Sequence, residues 1–119
     1  MEKVLGIGGL FIRADDPDAL AKWYWERLGI SLVPQGPTDR PWISEQGPTI
    51  FSPFPKDSDY FAENRQFMVN FRVRDLDAML AQLAAAGHEA THHSAMDGIG
   101  KFARVHDPEG NPIELWEAE

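Results

Sequence analysis

The strongest constraint on this chain is that it repeats itself. Set Asp16 over Asp75, and "GLFIRADDPDAL" lies over "MVNFRVRDLDAM", with Asp18-Ala19 falling on Asp77-Ala78. Gly29 and Gly87, which close the two helical stretches, keep the same offset to within one residue. Further along, "GPTIFS" sits in the first half where "GNPIELW" sits in the second. Aligning Gly47 with Gly110 then sets Phe51 over Glu114, less securely. Each half therefore reads as a strand, a helix and about three short strands.

Local chemistry supports both helices. Asp16 suits an N-cap, Pro17 the first helical position and Gly29 the left-handed residue past the end. Leu20, Trp23, Tyr24 and Leu28 recur at helical spacing and should face a sheet. Asp75 and Gly87 bracket the second helix in the same way. Helices are predicted over 17–28 and 76–86. Strands are predicted in "LGIGGLFIRA", "ISLVP", "RPWIS" and "PTIFSPF", then in "FMVNFRVR", "HEATHHSAM", "GKFARVH" and "PIELWE". The first βαβββ module spans 1–56 and the second 66–119, with a polar connector at 57–65. The class is α+β: one domain of two paired modules, forming a curved mixed sheet around a cavity.

Side-chain alternation assigns the two sheet faces. Leu10, Ile12 and Ala14, then Val69, Phe71 and Val73, then Ala103 and Val105, then Ile113 and Leu115 should meet the helices. The opposite face carries Gly9, Phe11 and Arg13, then Met68, Asn70 and Arg72, then Phe102, Arg104 and His106, then Glu114 and Trp116. A solvated face has little need of two Phe, a Met and a Trp, and a dry core would not hold three Arg. The mixture suits a pocket whose apolar walls carry a few polar groups. Trp42 and "IFSPFP" are placed at its mouth. "DSDYF" reads as a lid or a dimer contact.

Composition removes several function classes. The net charge is −8 and no Lys/Arg cluster appears, so nucleic acid is not expected as a partner. With no Cys there is no disulfide framework and no thiol nucleophile. No apolar run approaches a membrane span, and "MEKVLGIGGL" lacks the features of a signal peptide, so a cytoplasmic protein is expected. "GIGG" is not followed by a helix and matches no phosphate-binding loop. In "GHEATHH" the spacing of His88, His92 and His93 invites a metal reading. An exposed strand start accounts for it.

The closing hairpin, "DPEGNPIELWE", poses the sharpest question. Asp-Pro and Gly-Asn are turn chemistry. Glu114 then sits between Ile113 and Leu115 in an otherwise apolar strand. It is open to four roles: metal ligand, general base, ion-pair partner or solvated charge. Arg13, Arg72 and Arg104 are predicted to supply its ion-pair partner. If "KFARVH" and "PIELWE" pair about Glu109, Arg104 falls opposite Glu114 and leads. His106 has the parity for the same face, at its edge, and is a second candidate base.

The paired βαβββ repeat, the Asp-Pro helix ending in "LG" and the terminal "DPEGNPIELWE" together resemble the vicinal oxygen chelate superfamily. That superfamily includes glyoxalases, bleomycin-resistance proteins, fosfomycin-resistance enzymes and extradiol dioxygenases. The resemblance covers essentially the whole chain. It implies two modules curling around a cavity, a homodimer and, in many of the enzymes, a divalent metal held by His, Gln or Glu. The ligand positions it implies here are Gly9, Met68, Glu114 and a residue near Phe51. Only Glu114 has a hard donor; Met68 offers a soft thioether. No metal and no other cofactor is expected. The leading reading is a metal-independent small-molecule-binding protein. Its ligand, aromatic or anionic, would meet Phe11, Arg13, Trp42, Asn70, Arg72, Phe102, Arg104, Glu114 and Trp116. The alternative is a glyoxalase-like lyase or a dioxygenase using Glu114, with Arg104 or His106, at a shifted metal site.

Overall fold

The computed structural model describes residues 1–119. Its elements in order are α1 (Pro17–Leu28), β1 (Val69–Arg72), α2 (Leu76–Ala85), β2 (Thr91–Met96), β3 (Gly100–His106) and β4 (Pro112–Ala118). The four strands form one open mixed sheet in the order β1-β4-β3-β2. β1 runs parallel to β4, and the other two pairs are antiparallel.

Both helices start as their sequences require. The Asp16 carboxylate accepts from Ala19 N at 3.1 Å, and Asp75 from Ala78 N at 3.0 Å. Gly29 takes the left-handed conformation with φ 72°. The closing hairpin adds a second carboxylate to each helix start. Glu109 accepts from Asp15 N at 2.7 Å and Asp16 N at 3.1 Å, and Glu117 accepts from Leu76 N at 2.8 Å. Negative charge at a helix N-terminus meets the positive end of the helix dipole.

The core lies between α2, the inner face of α1 and one sheet face. Trp23, Leu76, Leu83, Ala103, Val105, Ile113 and Leu115 are its buried members, with Val69, Phe71 and Val73 packed at its margin. Apart from Trp23, Leu76 and Leu83, which come from the helices, these are the residues that alternation assigns to the helix-facing side. Burying a side chain such as Leu83 or Ile113, both 0% exposed, stabilises by roughly 1.5–3 kcal/mol.

The Asp-Pro-Glu-Gly-Asn turn is organised by one buried carboxylate. Asp107 accepts from Glu109 N at 2.9 Å, Asn111 N at 3.0 Å, Asn111 Nδ2 at 2.7 Å and the Tyr24 hydroxyl at 2.7 Å. Tyr24 and Glu109 thus clasp α1 to the hairpin. The Tyr24 pKa is pushed far up by burial, reinforced by its hydrogen bond to Asp107 and that residue's charge.

The second module forms as its sequence indicates. In the first module the helix forms, but the segments expected as strands at 5–14 and 30–54 adopt no strand pairing. A strand is defined by a partner ladder, and in the single chain these segments have none. Their apolar side chains stand largely in solvent: Leu5, Ile7, Phe11 and Phe51 are all exposed.

Candidate functional site

The strand register sets the face opposite the helices in rows. Asn70, Glu114, Arg104 and Thr91 are successive partners across β1, β4, β3 and β2. Arg72, Trp116, Phe102 and Ser94 form the next row. His106 lies opposite Pro112 at one end. Beyond Thr91, β2 carries an irregularity that ends at Ser94, and His92 within it has φ 53°.

The second row is aromatic at its centre. Phe102 and Trp116 stack with ring centroids 5.8 Å apart and planes 6° from parallel. Trp116 is buried, and its Nε1 donates to the Ile99 carbonyl at 2.9 Å. Its neighbour Arg72 turns toward the first module, where its guanidinium donates to the Glu45 carbonyl at 2.7 Å. That group passes so close to Gly47 that a Cβ there would lie 2.0 Å from Arg72 Nη1.

The first row is polar, and its contacts differ from those expected. Arg104 does stand opposite Glu114, but no ion pair joins Glu114 to Arg104, Arg13 or Arg72. Glu114 Oε1 accepts from Asn70 Nδ2 at 2.9 Å, and Oε2 accepts a short hydrogen bond from the Tyr60 hydroxyl. The Tyr60 ring sits over the guanidinium, with Arg104 Cζ 5.0 Å from its centroid. That distance is within cation–π range. Arg104 is only 4% exposed, and its Nε has no hydrogen-bond partner.

Electrostatics follow from this packing. The Tyr60 pKa is raised, first by burial and then by Glu114, with Arg104 opposing. Tyr60 therefore stays a protonated donor near neutrality. The His106 pKa is lowered, first by burial and then by the positive charge of Arg104, with His92 adding to it. His106 is thus neutral near pH 7, as a proton acceptor must be, but it makes no hydrogen bond to Glu114.

The other expected site residues are scattered. Phe11 is 94% exposed and Arg13 is exposed, because the segment carrying them does not join the sheet. Trp42 lies edge-on to Phe71 at 6.3 Å, and Phe71 alternates to the helix side of β1. Asn70, Phe102, Arg104, Glu114 and Trp116 do come together. Sequence reasoning missed Tyr60 as a partner of Glu114. Its only signal is an aromatic residue with a polar tip in the connector, and a connector carries no register to place it. His88 has a structural partner: its Nε2 lies 3.3 Å from the Trp23 indole nitrogen, which donates to it.

Of the four implied metal-ligand positions, Gly9 has no side chain, Met68 and Phe51 offer no hard donor, and both oxygens of Glu114 accept hydrogen bonds. No three His, Asp or Glu side chains converge in a way that could hold a metal ion. The residues present do not fit the superfamily's usual metal. No helix is long and apolar enough to cross a membrane.

A family described as Glyoxalase-like domain matches residues 9–116. Among solved structures, the antibiotic binding protein TnmS3 from Streptomyces sp. CB03234 is 20% identical, covering 99% of this chain and 100% of its own, with a TM-score of 0.65. A glyoxylase/bleomycin resistance protein/dioxygenase domain from Frankia sp. EAN1pec is 18% identical over 98% of this chain and 100% of that one, also with a TM-score of 0.65. A glyoxalase family protein from Enterococcus faecalis is 28% identical, but the overlap is 54% of this chain and 52% of that one, with a TM-score of 0.42. No curated protein matches the sequence.

Proposed function

Because this chain belongs to the Glyoxalase-like domain family, we propose that it is a metal-independent small-molecule-binding member, taking an aromatic or anionic ligand on the open face of its sheet. The observation that carries this is the state of Glu114. It is the one hard donor among the four implied ligand positions, and both its oxygens are engaged by Asn70 and Tyr60. The stacked Phe102–Trp116 pair and the buried Arg104 beside it supply an apolar wall and a positive charge. Such a combination suits flat or negatively charged molecules. The same fold serves an antibiotic binding protein in Streptomyces sp. CB03234, and a binding role is carried over here as part of the proposal.

Pairing with a second copy belongs to the same reading. Exposed Leu5, Ile7, Phe11 and Phe51 form apolar surface that the single chain leaves uncovered. Phe54, Phe61 and Trp42 are candidate contacts, and Phe54 and Phe61 already lie 5.8 Å apart. Phe11 and Arg13 would then reach a cavity completed by the dimer. A cytoplasmic location is part of the proposal as well.

Thermal denaturation with benzoate and 2-naphthoate, each with and without EDTA, tests the reading. An aromatic carboxylate should raise the Tm equally in both conditions, since a ligand that binds only the folded state stabilises it. A rise that EDTA abolishes, and that added manganese or nickel restores, would overturn it in favour of a metal-dependent enzyme.

A further inference from the structure

The connector crosses the open face and is fastened at two points. Tyr60 donates to Glu114, and Arg65 donates to the Asn111 side chain at 3.2 Å and to the Glu109 carbonyl at 3.0 Å. At the first anchor the Tyr60 ring packs against the Arg104 guanidinium and lies 5.4 Å from the Phe54 ring. Tyr60 as a whole nevertheless remains 42% exposed, so it is not a core residue. Beneath it, Arg104 Nε is buried with no hydrogen-bond partner, and no carboxylate lies within ion-pair distance of the guanidinium. Leaving a buried donor unpaired is costly, so an acceptor placed beside Arg104 Nε would be favoured.

We propose that the corner formed by Glu114, Asn70 and Arg104 is a subsite for a phenolic ring of the ligand, and that Tyr60 is its resident occupant. This rests on the binding reading above and names the chemical class that the site takes. Tyr60 shows what the corner accepts: a hydroxyl that donates to Glu114 Oε2, and an aromatic face over a guanidinium. A ligand carrying an oxygen acceptor beside its phenol would also meet Arg104 Nε. The hydroxyl must arrive protonated, as Tyr60 does, because Glu114 accepts. A tethered occupant competes at an effective concentration in the millimolar range. A free ligand therefore enters by displacing Tyr60, and its affinity is set by that competition.

The test removes the occupant and offers a surrogate. In the full chain, Tyr60→Gly leaves a space shaped for 4-methylphenol, and toluene is the same molecule without the hydroxyl. Calorimetric titration should show 4-methylphenol binding Tyr60→Gly at least tenfold more tightly than the unmodified protein. It should also bind at least tenfold more tightly than toluene, because a hydrogen bond to a charged acceptor is worth that much. Adding Glu114→Leu should abolish the preference for the phenol. Equal affinity for phenol and toluene, or a preference that survives Glu114→Leu, would overturn the proposal. Tyr60→Ala carries the same comparison if Tyr60→Gly does not fold. Failure here with EDTA-insensitive binding of benzoate or 2-naphthoate would sink the phenol subsite alone. Selective phenol binding in a protein whose carboxylate binding needs metal would sink only the metal-independent reading.

Discussion

Tyr24→Phe removes one hydroxyl from the clasp between α1 and the closing hairpin and leaves the ring in place. That hydroxyl donates at 2.7 Å to Asp107, a carboxylate only 4% exposed. A hydrogen bond to a charged group contributes about 1.5–3 kcal/mol. Asp107 keeps three other donors after the change, so a loss near the middle, about 2 kcal/mol, is expected around pH 8. The loss should depend on pH. The folded-state pKa of Tyr24 lies above the unfolded value near 10. Its contribution is therefore fully present below about pH 10 and is lost as the pH rises further, because only the unfolded chain ionises there. At pH 11, one unit above the unfolded value, that ionisation favours unfolding by about 1.4 kcal/mol in the unmodified protein and not at all in Tyr24→Phe. Urea denaturation of both proteins at pH 8 and pH 11 measures the gap. It should shrink by about 1.4 kcal/mol, and Tyr60 cancels because both proteins carry it. A gap that stays constant within a few tenths of a kcal/mol would refute the buried clasp.

Other perturbations separate packing from charge. Leu83→Ala, at a position with no exposure, should cost about 2–5 kcal/mol by urea denaturation. Gly100→Ala should cost about 2–5 kcal/mol, because φ is 134° and a Cβ would lie 2.1 Å from the Glu117 carbonyl oxygen. Arg104→Met should cost less than about 1 kcal/mol or even stabilise, since it removes a buried charge that has no ion-pair partner; a loss of several kcal/mol would show that Arg104 pairs with Glu114 after all.

Much of the second module can be read from alternation alone. The parity of "FMVNFRVR", "GKFARVH" and "PIELWE" separates core from open face. A hairpin centred on Glu109 puts Arg104 opposite Glu114, as found. What Glu114 bonds to was not legible. Register says which residues are neighbours, but a long guanidinium can turn away, and Tyr60 arrives from a connector with no periodicity. Asp107 read as turn chemistry, yet its bond to Tyr24 joins residues 83 apart in sequence. The first module shows the opposite limit. "LGIGGLFIRA" and "PTIFSPF" have strand composition, but composition does not name a pairing partner, and in the single chain they have none.

Metal content tests the proposed function most directly. Purified protein, incubated in turn with manganese, nickel, zinc and iron(II) and then desalted, should retain far less than one metal ion per chain by elemental analysis. Gly9 and Met68 offer no hard donor, and Asn70 and Tyr60 hold Glu114. One tightly held ion per chain that disappears in Glu114→Gln would contradict the reading and make Glu114 a metal ligand.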